Sequence, residues 1–212
     1  MLFRSSADAV VVTAAYDLPP SASISGNVFR DDDASGTRNG SEPGLAGWTV
    51  YQDFNNNGIL DLTTTSIFNS TDTPKLAADP GTTFSNLTIA GLAGTISNIK
   101  VTVNINHPTD GQLYVSLISP GNIPVIMSNY QGGTGANFVN TTFDDAASTP
   151  IASGTAPFTG SFKPYFDLGR LNGVSPNGTW KLRLDDSTAG NQGTIVSWSM
   201  QITYTEIGRA HV

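Results

Sequence analysis

Apolar and polar residues alternate one for one along short stretches of this chain. Ile24 to Phe29 alternates in this way, and after a loop from Arg30 to Gly47 a second short strand is expected over Trp48 to Tyr51. From Ser66 onward the same texture recurs over Thr82–Ile89, Ile96–Ile105, Leu113–Ile118, Val125–Met127, Gly178–Leu184 and Thr194–Thr203. A period of two is the signature of a half-buried strand, and no long stretch places apolar residues at i, i+3, i+4 and i+7 as a helix would. Turn chemistry separates the runs: Ser119-Pro120-Gly121-Asn122, Gly132-Gly133-Thr134-Gly135 and Pro176-Asn177-Gly178. Many short strands with regular turns predict an all-β, jelly-roll-like β-sandwich. The segment from about Tyr130 to Phe166 reads as long and strand-poor, which in a compact domain marks a functional or metal-organised loop.

The chain divides by texture. Residues 1–22 read as a linker or the end of a preceding module, with Val10 to Thr13 as its last strand and Leu18-Pro19-Pro20-Ser21 as the linker, because consecutive prolines block ladder pairing. Residues 23–63 form a short N-terminal calcium-loop β segment, and residues 64–205 form the main domain. Residues 206–212, Glu206 to Val212, read as the translation of a sequencing adapter and are set outside the fold.

Composition narrows the picture. Charged residues make up 13% of the chain, too few for the surface of a helical bundle, and the net charge is −7. The acids cluster at Asp31-Asp32-Asp33, Asp144-Asp145 and Asp185-Asp186. That argues against nucleic acid, whose phosphates need a basic patch, and suits calcium, which takes hard oxygen ligands. There is no cysteine, which excludes disulfides, zinc–thiolate sites and thiol catalysis. A cysteine-free β module fits an exported bacterial protein, extracellular or on the cell surface, better than a small secreted animal domain. The longest apolar run near the start, Ala9 to Ala15, is too short to span a bilayer.

Two loops carry ligand spacing. Asp31-Asp32-Asp33-Ala34-Ser35-Gly36 is followed by Glu42 eleven residues after Asp31. Alternate residues of such a loop point oxygens at a common centre, Gly36 permits the turn, and Glu42 closes the shell with two oxygens. Asp31, Asp33, Ser35, Thr37 and Glu42 are its candidate ligands; an acidic solvated turn is the bland alternative. The second loop runs from Asp53 to Asp61, with Asp53, Asn55, Asn57 and Asp61 in ligand slots and Thr64 where the bidentate acid belongs. It reads equally as an Asn-rich turn.

Gly26-Asn27-Val28-Phe29-Arg30-Asp31 and Glu42-Pro43-Gly44-Leu45-Ala46-Gly47-Trp48-Thr49-Val50-Tyr51 resemble the SdrD B-like repeats of bacterial surface proteins, over about Ser23 to Asp61. Those repeats are calcium-binding β spacers, and the later half of the repeat is missing here. A longer set follows. Asn104 to Leu113 leads into Leu117-Ile118-Ser119-Pro120-Gly121, then Gly132 to Phe138, Thr142 to Ala147 and Gly160 to Pro164. It ends with Asn177-Gly178-Thr179-Trp180-Lys181-Leu182, Asp185-Asp186 and Gly193 to Ser199. In this order the set resembles the proprotein convertase P-domain (P/Homo B) over about Ser66 to Tyr204.

That resemblance implies a galactose-binding-like jelly roll that accompanies subtilisin-like serine proteases, stabilising the catalytic domain. It also implies calcium ligands at Asp110, Asn137, Asp144, Asp145, Asp185 and Asp186; Gln112 departs from an acid common in the family. The bland readings are a solvated turn for Asp144-Asp145 and a capped strand end for Asp185-Asp186. Trp180 and Trp198 read as core, with carbohydrate stacking as the alternative, and His107 reads as structural.

No serine-protease triad, His-Glu-x-x-His helix or Gly-x-Ser-x-Gly elbow is present. The expectation is a non-catalytic, calcium-stabilised accessory or structural module, with neighbouring domains of its own polypeptide as partners. One alternative is a P-domain serving a subtilisin-like protease; another is a carbohydrate-binding module.

Overall fold

The computed structural model describes the backbone of residues 2–4, 9–11, 29–30, 32, 35, 38–40, 42–44, 46 and 60–208, and the side chains of 29–30, 32, 35, 38–40, 42–44, 46 and 63–205. The chain forms two compact units, Met1–Gln52 and Asp53–Val212. In the first, β1 (Leu2–Arg4) pairs antiparallel with β2 (Ala9–Val11). Phe29 bridges Gly44, and Arg30 N donates to Pro43 O at 3.1 Å. The predicted strand Trp48–Tyr51 lies outside the described residues.

The second unit is a two-sheet β-sandwich. Its strands are β3 (Leu60–Asn69), β4 (Lys75–Leu76), β5 (Gly81–Ile89), β6 (Thr95–Asn106), β7 (Leu113–Ile118), β8 (Pro124–Asn129), β9 (Phe138–Phe143), β10 (Phe158–Phe162), β11 (Gly178–Asp186) and β12 (Thr194–Gly208). One sheet runs β10-β9-β6-β12-β3, with β4 also on β12; the other runs β5-β11-β7-β8. The inward residues of β6 and β12 face those of β5, β7, β8 and β11. Val101, Val103, Ile105, Met200 and Ile202 on one side meet Val115, Leu117, Met127, Trp180 and Leu182 on the other, and all are buried. Fully burying side chains of this size contributes about 1.5–3 kcal/mol each.

Two strands sit inside the segment expected to be strand-poor, and the reason is local. Phe138 and Phe143 are five positions apart and both are buried, which strict alternation forbids. Asn140 takes a positive φ of 47° between them, and the β6–β9 pairing shifts register between Val103 and Ile105. β10 pairs parallel with β9 and slips at Gly160, whose φ of 89° suits only a residue without a side chain. β12 also runs through Glu206, Ile207 and Gly208, opposite Leu62, Asp61 and Leu60, so strand pairing includes residues that the sequence reading sets outside the fold.

A polar seam joins the sheets through the core. Trp198 Nε1 on β12 donates to Ser85 Oγ on β5 at 2.7 Å, and Ser85 Oγ donates to Asp72 in the crossover. Asp72 also accepts from Asn86 N at 2.9 Å, Ser70 Oγ at 2.8 Å and Lys75 Nζ at 3.1 Å. Burial pushes the Asp72 carboxyl up, but Ser85, Asn86, Ser70 and Lys75 outweigh it and hold it at about 2. Trp180 Nε1, by contrast, donates to the backbone carbonyl of Pro176 at 2.8 Å.

Asp72→Ala is expected to cost about 1–3 kcal/mol at neutral pH, because it strips the acceptor from the buried Ser85 hydroxyl and from three more exposed donors. The folded-state pKa of about 2 lies below the ordinary 3.8, so this stabilisation is present above about pH 4 and is lost as pH falls toward 2. Urea titrations of parent and variant should therefore differ at neutral pH and converge in acid. An undiminished difference in acid would assign the loss to packing instead.

Candidate functional site

The richest polar cluster lies where β6 leaves its sheet. His107 follows β6, and Asp110 opens a short 3-10 turn, Asp110–Gln112, that leads into β7. Asp110 N donates to Gly135 O at 2.7 Å and Gly111 N to Gly133 O at 2.9 Å, so the Gly132–Gly135 run is laid directly on the turn. Gly132 has a φ of 99°, and a Cβ there would meet Phe158 at 2.8 Å and the Asp110 Cβ at 2.9 Å. Asn137, at a φ of 76°, donates its N–H to Asp110 Oδ1 at 2.9 Å and accepts from His107 N through Oδ1 at 2.9 Å.

His107 ties this loop to the end of β11. Its Nε2 lies 3.1 Å from Asp186 Oδ2, with both side chains fully buried, and Nδ1 lies 3.1 Å from Thr109 N. Asp186 Oδ1 accepts from Thr188 N at 3.1 Å. The fold therefore brings Asp110, Asn137 and Asp186 to one place around His107. Gln112 stands beside them, accepting from Asn191 Nδ2 at 3.2 Å. Asp110 is fully buried, yet its Oδ2 has no hydrogen-bond partner. Burial pushes the carboxyl up to about 7, over the opposing pull of the Asn137 N–H and the His107 charge.

The other candidate acids are spent on donors of the protein itself. Asp144 accepts from Lys100 Nζ at 2.8 Å and Ala146 N at 3.0 Å. Burial raises its carboxyl, but Lys100 and the Ala146 N–H outweigh this and hold it below the usual carboxylate range. Asp145 accepts from Leu168 N at 2.8 Å and Gly169 N at 2.7 Å, fixing the start of the 3-10 turn Leu168–Leu171. Asp185 takes Arg183 Nε at 2.9 Å and Nη2 at 2.6 Å, and that guanidinium lies over Tyr114 at 5.3 Å.

In the first unit, Glu42 is buried and accepts from Asp32 N at 3.0 Å and Asn39 N at 2.9 Å. Both oxygens assigned to an ion are thus turned on the backbone of the loop. Ser35 is exposed; Asp31, Asp33, Thr37, Asp53, Asn55, Asn57 and the side chain of Asp61 lie outside the described residues. Among the described residues, no three His, Asp or Glu side chains gather as a metal centre. Among the described residues, Asp144, Asp145, Asp185 and Glu42 are turned on donors of the protein, and Asp110 Oδ2 is the buried carboxyl oxygen without one. The sequence reading missed the Asp72–Ser85 seam and the Lys100 partner of Asp144, which lie on different strands with no shared motif.

Comparison with known proteins follows the same strands. The chain is 34% identical over 112 residues to a "Calcium-dependent protease" of a Nostoc species, covering 51% of this chain and 14% of that protein. It is 29% identical over 137 residues to a leupeptin-inactivating enzyme of Streptomyces exfoliatus (64% and 24%). With a transglutaminase-activating metalloprotease of Streptomyces mobaraensis it shares 30% identity over 104 residues (49% and 10%). Among solved structures, a serine protease of Aeromonas sobria matches at 18% identity with a TM-score of 0.44, over 68% of this chain and 27% of that one. The chain thus spans a minor part of the length of each relative. The proprotein convertase P-domain family matches residues 96–202, from the start of β6 to the middle of β12, and this chain belongs to that family.

Proposed function

We propose that this chain is a non-catalytic accessory domain of an exported bacterial protein, that the partner it stabilises is a peptidase domain of the same polypeptide, and that calcium contributes to its stability. The observation that carries the reading is the family match over both sheets, with relatives named as proteases. Those names favour service to a peptidase over a spacer role in a surface protein. A sandwich built on long strand pairings is a rigid companion: it offers fixed loops and faces while its own core stays closed.

Calcium enters through Asp110. It is buried, one oxygen lacks a donor, and the first relative is named for calcium dependence. A cation at Oδ2 would satisfy that oxygen and remove the cost of a buried charge. Asp144, Asp145, Asp185 and Glu42 are proposed instead as structural acceptors, given the donors that already hold them.

Thermal melts in calcium and in chelator test the ion. A ligand bound only by the folded state adds about 2.7 kcal/mol at a hundred times its Kd, so chelation should lower Tm. Asp110→Ala should abolish most of that shift and Asp144→Ala should leave it. A Tm indifferent to chelator would remove calcium from the proposal. Peptide hydrolysis by the chain alone, with or without calcium, would remove the accessory role.

The Asp110 carboxyl gives a second test, made in chelator. Its folded-state pKa of about 7 lies above the ordinary 3.8, so the favourable contribution is full below about pH 4 and is lost as pH rises through 7. Asp110→Asn keeps the shape without that titration. The variant should gain on the parent by about 1–3 kcal/mol between mildly acidic and mildly alkaline pH, read by urea titration. A parent that gains on the variant as pH rises would contradict the buried, donor-poor setting of Asp110.

A further inference from the structure

The two sheets of the sandwich have four edges; those of β5 and β8 are covered, and that of β10 is short and broken. The free side of β5 is taken by side chains of the crossover: Asn86 N donates to Asp72, Ser70 Oγ lies 2.8 Å from Asn86 O, and Thr83 Oγ accepts from Ala78 N at 2.8 Å. The free side of β8 is taken by backbone: Tyr165 N donates to Met127 O at 3.0 Å and Phe166 N to Ile126 O at 2.9 Å. β10 is short and slips at Gly160, and its outgoing end pairs with the Pro150 segment, where Ile151 N donates to Lys163 O at 2.9 Å.

β3 is different. It is ten residues long, lies at the end of its sheet, and pairs along its length with β12. Among the described residues nothing bonds to its outer side. From Leu62 to Asn69 it holds no charge, no proline and no glycine, and Thr, Ser, Ile and Phe fill most of it. Natural edge strands are normally blunted by a charge, a proline or a bulge; here the one charge is Asp61 at the start of the strand, and Leu62–Asn69 has none of these. Ile67 on this strand is 64% exposed, the most of any large apolar side chain described.

We propose that β3 is an association edge at which a second copy of this chain pairs, β3 against β3 and antiparallel, about a twofold axis. A row of unpaired N–H and C=O groups is matched only by another extended strand. The copies each carry a net charge of −7, yet this stretch is uncharged and meets its own image without like-charge repulsion. In the register centred on Thr65, each Thr63 stands opposite the other copy's Ile67, so methyl groups of the two copies cover each other. A twofold contact of this kind closes on itself. The inference stands apart from the accessory role and from calcium.

Sedimentation equilibrium of the full chain should show a reversible dimer of twice its 22.2 kDa mass. Amide exchange in β3 should slow as concentration rises. Ile67→Lys should weaken the dimer at least tenfold with little change in melting temperature, because the side chain is exposed. Phe84→Lys, exposed on the other sheet, should leave it intact. Monomer at every concentration, open-ended oligomers, or a dimer equally strong in Ile67→Lys would each overturn the proposal. So would an equal loss in Phe84→Lys.

Discussion

The ladder between β6 and β12 is the constraint on which the rest of the sandwich depends. It runs from Thr194 opposite Asn106 to Thr205 opposite Thr95, joining residues about a hundred positions apart. β9 hangs on β6 and β10 on β9; β3 and β4 hang on β12. Two register shifts, between Ile195 and Ser197 and between Thr203 and Tyr204, lie toward its ends. They let residues of odd spacing share the core: Ile195 with Trp198 on one strand, Ile96 with Ile99 on the other, all buried. A bulge that adds one residue and turns the following ones inward does this without breaking the pairing. Contacts of such sequence separation form only after a large entropic cost of loop closure, so this pairing ties folding of the unit to its two ends at once.

Around that ladder, the acidic side chains behave alike. Net charge suggests a surface of solvated carboxylates waiting for cations, but most of those described are engaged. Asp145 and Glu42 each hold two backbone N–H groups, Asp144 holds Lys100 and a backbone N–H, and Asp185 holds a guanidinium in two places. Loops cannot satisfy their own N–H groups by secondary structure. In a protein with few lysines and arginines, carboxylates supply the missing acceptors. Charge clustering in the sequence thus reports loop construction as much as ion binding.

This explains what was legible beforehand. Strands with strict alternation, such as Leu113–Ile118 and Gly178–Leu184, were readable because one face of each is core. β9 and β10 were not, since Asn140 and Gly160 break the period at the positions where the strands bend. β3 was not, because Thr and Ser occupy both of its faces and no contrast exists to read. For the site, the P-domain resemblance pointed to Asp110, Asn137, Asp144, Asp145, Asp185 and Asp186; the fold places Asp110, Asn137 and Asp186 around His107 and sets the other three on donors elsewhere. Which acids are already satisfied was not legible, because partners such as Lys100 for Asp144 and Leu168 for Asp145 lie on other elements.

The cluster at His107 then stands out by contrast with its own surroundings. A fully buried His–Asp pair is tolerable only where the remaining polar atoms are met, and here Thr109 and Thr188 meet them. Asn137, held at positive φ, serves both His107 and Asp110, so the loop accepts an unfavourable backbone conformation to complete the network. After that effort one carboxylate oxygen, Asp110 Oδ2, is still left without a donor. Among the described residues three buried side-chain oxygens lack a partner, the Ser116 and Ser128 hydroxyls and Asp110 Oδ2, and the last is the one on a carboxyl. A cation bound at Asp110 Oδ2 in the folded state alone would add its binding free energy to folding, and would thereby link occupancy of the loop to stability of the sandwich.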